Sequence, residues 1–174
     1  RTEQMYIRDR SGNGDMIFAG ALVGGANDLT MDAGAGQIDF QNTVSGMGTT
    51  TVDNAGNVTA QSTFGGADYI QNAGTGTTDF QDVLTLTNNF DFTGNDLTLT
   101  AAGNDIGGAF DFNNAGTFTI ANTADVTVTG NFQQNAGAGG ASSIGGNITA
   151  NAISFFAAGN VTLTDTVGMD TTSG

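Results

Sequence analysis

Phe112-Asn113-Asn114-Ala115-Gly116-Thr117-Phe118-Thr119-Ile120 sets the pattern of this chain, because a version of it returns about every twenty residues. Within it, a corner of small residues ending in glycine separates two short segments in which apolar and polar side chains alternate. Corners of the same kind close on Gly34, Gly56, Gly74, Gly94, Gly116, Gly137 and Gly159, at spacings of 22, 18, 20, 22, 21 and 22. A period near twenty built from short β-type segments is the signature of a solenoid in which each repeat forms one rung. The segments themselves, such as Leu97-Thr98-Leu99-Thr100, Val126-Thr127-Val128-Thr129 and Val161-Thr162-Leu163-Thr164, have the period of two that turns Leu and Val inward and Thr outward on a half-buried strand.

The repeats also suggest their own register. Phe90-Asp91-Phe92 matches Phe110-Asp111-Phe112 at 20 residues, Leu97 and Leu99 match Phe118 and Ile120 at 21, and Asp105-Ile106 matches Asp125-Val126 at 20. A two-rung echo carries Gly34, Gly36, Asp39-Phe40-Gln41 and Val44 into Gly74, Gly76, Asp79-Phe80-Gln81 and Leu84, all at 40. The expected fold is all-β, a right-handed parallel β-solenoid of about 7–8 rungs over residues 29–174, a rod on the order of 40 Å long. Residues 1–28 depart from the pattern and are read as a cap or an assembly segment, as terminal repeats often are. A β-sandwich completed by an N-terminal strand is the alternative; it accounts for the apolar run Met16 to Val23 but not for the even corners. In a solenoid the corner glycine is expected to take a positive φ in every rung, and the asparagine before it to hydrogen-bond along the stack. An inward Phe112 predicts that Phe112→Ala costs roughly 3–5 kcal/mol.

Composition narrows the function. Glycine is abundant (28), proline and cysteine are absent, and the formal net charge is −14. All three basic residues, Arg1, Arg8 and Arg10, lie in the first ten positions, so nucleic acid and anionic membrane surfaces are poor partners. No apolar run is long enough to span a bilayer, which argues against membrane insertion. A start at Arg1 without an initiator methionine or a signal-like segment is what a processed product or a fragment would show.

Gly56-Asn57-Val58-Thr59-Ala60, Gly94-Asn95-Asp96-Leu97-Thr98-Leu99, Gly146-Asn147-Ile148-Thr149-Ala150 and Gly159-Asn160-Val161-Thr162-Leu163 resemble the repeat regions of large secreted bacterial β-helix adhesins of the filamentous haemagglutinin type. The similarity runs over about residues 29–174. It implies a β-helix, export, and a bacterial extracellular or cell-surface location, leaving receptor and glycan unassigned. The secretion domain of that family carries asparagine-proline motifs, which this proline-free chain lacks.

Catalysis has little to work with. With no His, Lys or Cys, only carboxylates remain as acid–base groups. Asp91 with Asp111, and Asp105 with Asp125, are expected to stack one rung apart, near enough for a retaining glycosidase pair. Both pairs read better as outward, solubilising acids, and no tryptophan is present to stack a sugar ring. No cofactor is required; calcium held by the same four aspartates is a weaker, optional expectation, since stacked carboxylates repel and Ca²⁺ relieves this. Ice binding by outward Thr rows is the alternative from another class, with Thr59, Thr119 and Thr162 three residues after their glycines but Thr98 four after Gly94. Carbohydrate binding is a further alternative. Asn57, Asn147 and Asn160 each begin a glycosylation acceptor pattern, read here as turn residues leading into strands. The expected role is structural: self-association through exposed terminal rungs by strand addition, into a filament or surface layer, or as repeats of an adhesin. Met16, Ile17, Phe18, Leu22 and Val23 are the candidate contact.

Overall fold

The structure is a computed structural model that describes residues 4–8, 14–135, 139–155 and 159–172. Among them there is no helix, and every strand pairing is parallel. Each turn of the chain lays down one strand on each of three faces, I, II and III. The first turn is β1 (Gln4–Arg8), β2 (Met16–Phe18) and β3 (Leu22–Val23); the second is β4 (Asp28–Asp32), β5 (Ile38–Phe40) and the start of β6 (Val44–Asn54). β6 continues round the corner to open the third turn, followed by β7 (Val58–Ala60) and β8 (Phe64–Gln71), which likewise runs from face III into face I. β9 (Thr77–Phe80) and β10 (Leu84–Leu86) complete the fourth turn, and β11 (Phe90–Gly94), β12 (Asp96–Leu99) and β13 (Asn104–Ile106) form the fifth. β14 (Phe110–Asn114), β15 (Phe118–Ile120) and β16 (Val126–Val128) come next, then β17 (Asn131–Gln134), β18 (Ser142–Ile144) and β19 (Ile148–Ala150). The last turn is β20 (Ala152–Phe155), β21 (Val161–Leu163) and β22 (Met169–Thr171).

Face II is a sheet of 8 strands, while β6 and β8 merge faces I and III into one sheet of 14. The chain is thus a parallel β-solenoid, with 7 windings between the first and the last of the 8 strands on face II. A sandwich of antiparallel sheets is excluded, because each strand pairs with its equivalent one turn away.

The core follows from the alternation. Phe90 pairs with Phe110 and Phe110 with Phe132, so rings of successive turns fall over one another. Tyr69, Phe90, Phe110 and Phe132 stack at centroid separations of 5.1, 4.4 and 5.0 Å, with their planes nearly parallel. Phe112, wholly buried, sits 4.3 Å from Phe118 and 5.4 Å from Phe132. Beside these rings runs a short buried polar seam. Gln71 accepts from Tyr69 Oη and Thr78 Oγ1, and Asn114 Oδ1 accepts from Gln134 Nε2. The expected asparagine stacking is therefore realised at Asn114, which also donates to the carbonyls of Gly116 and Ala141.

The corner glycines need correction. Of the expected series only Gly34 has a positive φ (61°); Gly56, Gly74, Gly94, Gly116 and Gly159 do not, and Gly137 lies outside the described residues. The glycines that stack are those two residues before the first inward side chain of each face II strand. They are Gly14, Gly36, Gly56, Gly76, Gly116, Gly140 and Gly159, with Asn95 in the remaining turn. Gly34 and Gly74 stand two positions before the column, and Gly94 one. What the column requires is the absence of a side chain: a Cβ on Gly56 would meet the Ala35 carbonyl, one on Gly140 the Gly116 carbonyl, and one on Gly159 the Gly140 carbonyl. Close approach of one turn's backbone to the next, rather than left-handed φ, selects glycine here.

Candidate functional site: acidic corners and open ends

The aspartates occupy corners. At all three corners an Asp or Asn of the preceding turn accepts a hydrogen bond from a backbone N–H of the next. Entering face II, Asp15 Oδ1 accepts from Gln37 N at 3.0 Å, Asn57 Oδ1 from Thr77 N at 2.9 Å, and Asp96 Oδ1 from Thr117 N at 2.6 Å. Entering face I, Asp28 accepts from Thr49 N, Asp68 from Asn89 N, and Asn89 in turn from Ala109 N, at 2.8, 3.1 and 2.9 Å. Entering face III, Asp125 Oδ1 takes both Asn147 N and Nδ2 at 3.0 Å, and Asn147 Oδ1 accepts from Gly168 N at 2.7 Å. Bonds of this kind to an ionised acceptor are the stronger class. Asp39 and Asp79 are held differently, by glutamines: Gln41 and Gln61 donate to Asp39, and Gln81 to Asp79.

Of the two expected carboxylate pairs, one forms. Asp91 and Asp111 are partners on the outer side of face I, between Ile70 and Gln133. Partial burial, and secondarily the charge of Asp91, pushes the Asp111 carboxyl above the ordinary range. The second pair does not form. Asp105 stacks between Thr85 and Thr127, while Asp125 lies at the corner before β16, bonded to Asn147. The shift arises because the turn from Leu99 to Ile120 takes 21 residues and the corner from Ile120 to Val126 is one longer than that from Leu99 to Asn104, giving 22. Among the described residues, no three acidic side chains converge as a metal site would require.

The threonine register is also tighter than the glycine spacing suggested. Because Asn95, not Gly94, is the equivalent corner, Thr98 falls in the same outward column as Thr59, Thr119 and Thr162. That column reads Ile17, Asp39, Thr59, Asp79, Thr98, Thr119, Ser143, Thr162, a single file broken twice by aspartate. Asn57 and Asn147 of the glycosylation patterns are corner acceptors. The hollow along Gly46, Gly65 and Gly66 is about 500 Å³ and is lined by glycine, alanine, threonine and Met47, with no acid or base.

The apolar run Met16 to Val23 becomes two strands of the first turn. Met16 and Phe18 point inward, Phe18 stacking on Phe40 at 5.0 Å, and Leu22 is half-buried. Ile17 and Val23 point outward and are exposed. The opposite end escaped the sequence reading. Val161, Leu163 and Met169 are 42, 56 and 43% exposed, although they stack on Ser142, Ile144 and Ile148, which are at most 1% exposed. Nothing in the alternation distinguishes them; their exposure arises only because no described strand lies beyond β21 and β22. Among the described residues no helix is long and apolar enough to cross a membrane. No protein-family model, curated protein or solved structure matches this chain.

Proposed function

We propose that this chain is a structural rod, a β-solenoid segment of a bacterial extracellular or cell-surface fibre or adhesin, without catalytic activity of its own. The observation that carries the reading is the employment of the acids. Asp15, Asp28, Asp68, Asp96 and Asp125 accept backbone N–H groups of the next turn at the corners, and of the four carboxylates expected to serve chemistry Asp105 and Asp125 are not partners. An aromatic core continuous from turn to turn supports the same role, since stacked repeats gain rigidity from neighbour contacts alone. Calcium is an optional addition at Asp91 and Asp111, where a cation would relieve repulsion between neighbouring carboxylates. Electron microscopy of the purified protein, with light scattering on the same sample, tests the proposal. Slender particles that pass unchanged through chelator treatment are expected. A compact particle, or turnover of a polysaccharide, would overturn it.

One observation favours a second reading. Thr98, Thr119, Ser143 and Thr162 line up on four successive turns of face II, a hydroxyl row that an ice surface or a glycan could engage. Thermal hysteresis in dilute protein, absent from Thr119→Asp, is the result that would establish the ice version.

A further inference from the structure

We propose that the corner between faces I and II, where the fourth, fifth and sixth turns meet, is a binding site for the N-acetyl group of a neutral amino sugar. The inference goes beyond the structural role and does not depend on it. Corner length creates the site. Gln71, Phe92 and Phe112 pair in register, as do Thr78, Leu97 and Phe118, so the fourth turn crosses this corner in 7 steps, the fifth in 5 and the sixth in 6. The fifth turn cuts the corner short. A hollow of about 410 Å³ opens there, lined by Ala73, Gly74 and Thr75 of the fourth turn, Gly94 and Asn95 of the fifth and Ala115 of the sixth.

The backbone ladder is interrupted at the same place. Ala115 N donates to Gly94 O and Gly116 N to Asn95 O, both at 2.9 Å, which seals the sixth turn onto the fifth. Between the fifth turn and the fourth, strand pairing ends at Phe92 and Gln71, and the next backbone bond beyond is Asp96 N to Gly76 O at 3.2 Å. Beside that gap lies a half-used amide. Gln71 is only 3% exposed, and its Oε1 accepts from both Tyr69 Oη and Thr78 Oγ1 at 2.8 Å. Burial keeps the Tyr69 hydroxyl in its protonated, donating form, which fixes the amide with Nε2 turned the other way. Nε2 faces the two glycines of the hollow: a Cβ on Gly94 would stand 3.1 Å from it, and one on Gly74 2.5 Å. No acceptor among the described residues takes its protons. A buried donor without an acceptor carries a desolvation cost, which a ligand oxygen entering here removes.

The lining selects the ligand. An amide donor calls for a carbonyl oxygen, and walls of glycine and alanine leave apolar space beside it for a methyl group. Thr75, Thr93 and Asn95 offer polar partners for the hydroxyls of the attached ring. No charged side chain is among the lining residues, and a net charge of −14 turns anionic ligands away.

The test is an NMR titration of isotope-labelled protein with N-acetylglucosamine, and with glucose as the sugar that lacks the acyl group. An affinity on the order of 1 mM suits a single sugar in an open hollow. The Gln71 side-chain amide protons should move downfield and saturate with N-acetylglucosamine, as they gain an acceptor, and stay in place with glucose. Ala115 is exposed, so Ala115→Leu fills the hollow without touching the core. It should keep the wild-type melting temperature and weaken binding by about 10-fold or more. Gln71 protons that stay unmoved at about 100 times the expected dissociation constant overturn the site. So does an equal shift with glucose, or an Ala115→Leu protein that binds like wild type. The rod itself stands or falls separately, by its shape in the microscope.

Discussion

Phe112→Ala should unfold this protein more readily than an equivalent truncation at the end of the stack, and the difference can be worked from the rings. Phe112 is 0% exposed and has Phe118, Phe132 and Phe110 at 4.3, 5.4 and 5.8 Å. Burying a phenylalanine side chain stabilises by about 1.5–3 kcal/mol, and the cavity left by its removal raises the loss to about 3–5 kcal/mol. Three aromatic neighbours put Phe112 toward the upper part of that range. Phe18 is half-buried and among the described residues meets one ring, Phe40 at 5.0 Å, so Phe18→Ala should cost about 1–2 kcal/mol. A central defect also weakens the interface with the turn on either side, while a terminal one weakens a single interface. Urea denaturation followed by circular dichroism gives the two losses. Hydrogen exchange should then show fraying confined to β2 and β3 in Phe18→Ala, and cooperative loss across several turns in Phe112→Ala. Equal losses, or a Phe112→Ala cost below about 1 kcal/mol, would mean that the rings do not act as a stacked core.

The other predictions concern corners and charge. Gly140→Ala sets a Cβ against the Gly116 carbonyl and should cost up to about 3 kcal/mol. Gly103 has a left-handed φ of 84° but open space where a Cβ would stand, so Gly103→Ala should cost about 1–2 kcal/mol and Gly103→Asn less, whereas Gly140→Asn should be as damaging as Ala; thermal melts separate the two requirements. Asp68→Ala removes the acceptor for Asn89 N and Asn88 Nδ2 and should cost about 1–2 kcal/mol, while Asp68→Asn keeps one acceptor oxygen and should cost less. Asp111 has a raised carboxyl pKa in the fold, so its charged form is penalised there at neutral pH, and the penalty fades as pH falls through the raised value and below the unfolded one. Asp111→Asn should therefore raise the melting temperature at pH 7 and lose that advantage near pH 3; an advantage that persists in acid would refute the electrostatic cause.

Strand identity and much of the register were legible because inward residues are large and repeat with few substitutes. Phe90-Asp91-Phe92 over Phe110-Asp111-Phe112, and Leu97 and Leu99 over Phe118 and Ile120, pair as the spacing indicated. Corners were harder to read, since each gathers several small residues and turns differ in length. Phe118 follows Leu97 by 21 residues, yet Ser142 follows Phe118 by 24. With two or three small residues to choose from at each corner, the spacing points to Gly74 and Gly94 where Gly76 and Asn95 are the stacked positions. The same ambiguity misaligns Asp105 with Asp125. The acceptor role of the aspartates did leave a trace, an Asp or Asn immediately before an inward residue at Asp15-Met16, Asn57-Val58, Asp96-Leu97 and Asp125-Val126. Exposure of Val161, Leu163 and Met169 left none, because burial of an inward residue depends on the layer beyond it.

In a stack of strands laid across the long axis, the hydrogen bonds between successive turns point along that axis. A pull applied to the two ends therefore loads those bonds in line and opens them one layer at a time, as a zipper opens, instead of shearing many at once. Each turn released converts one layer of about 4.8 Å into roughly 20 residues of extended chain, about 65–70 Å. Such a rod would yield in regular small steps at modest force and take up tension while the remaining turns stay folded. Residues such as Gly140 and Asp68, which fix how closely one layer seats on the next, would set the height of each step.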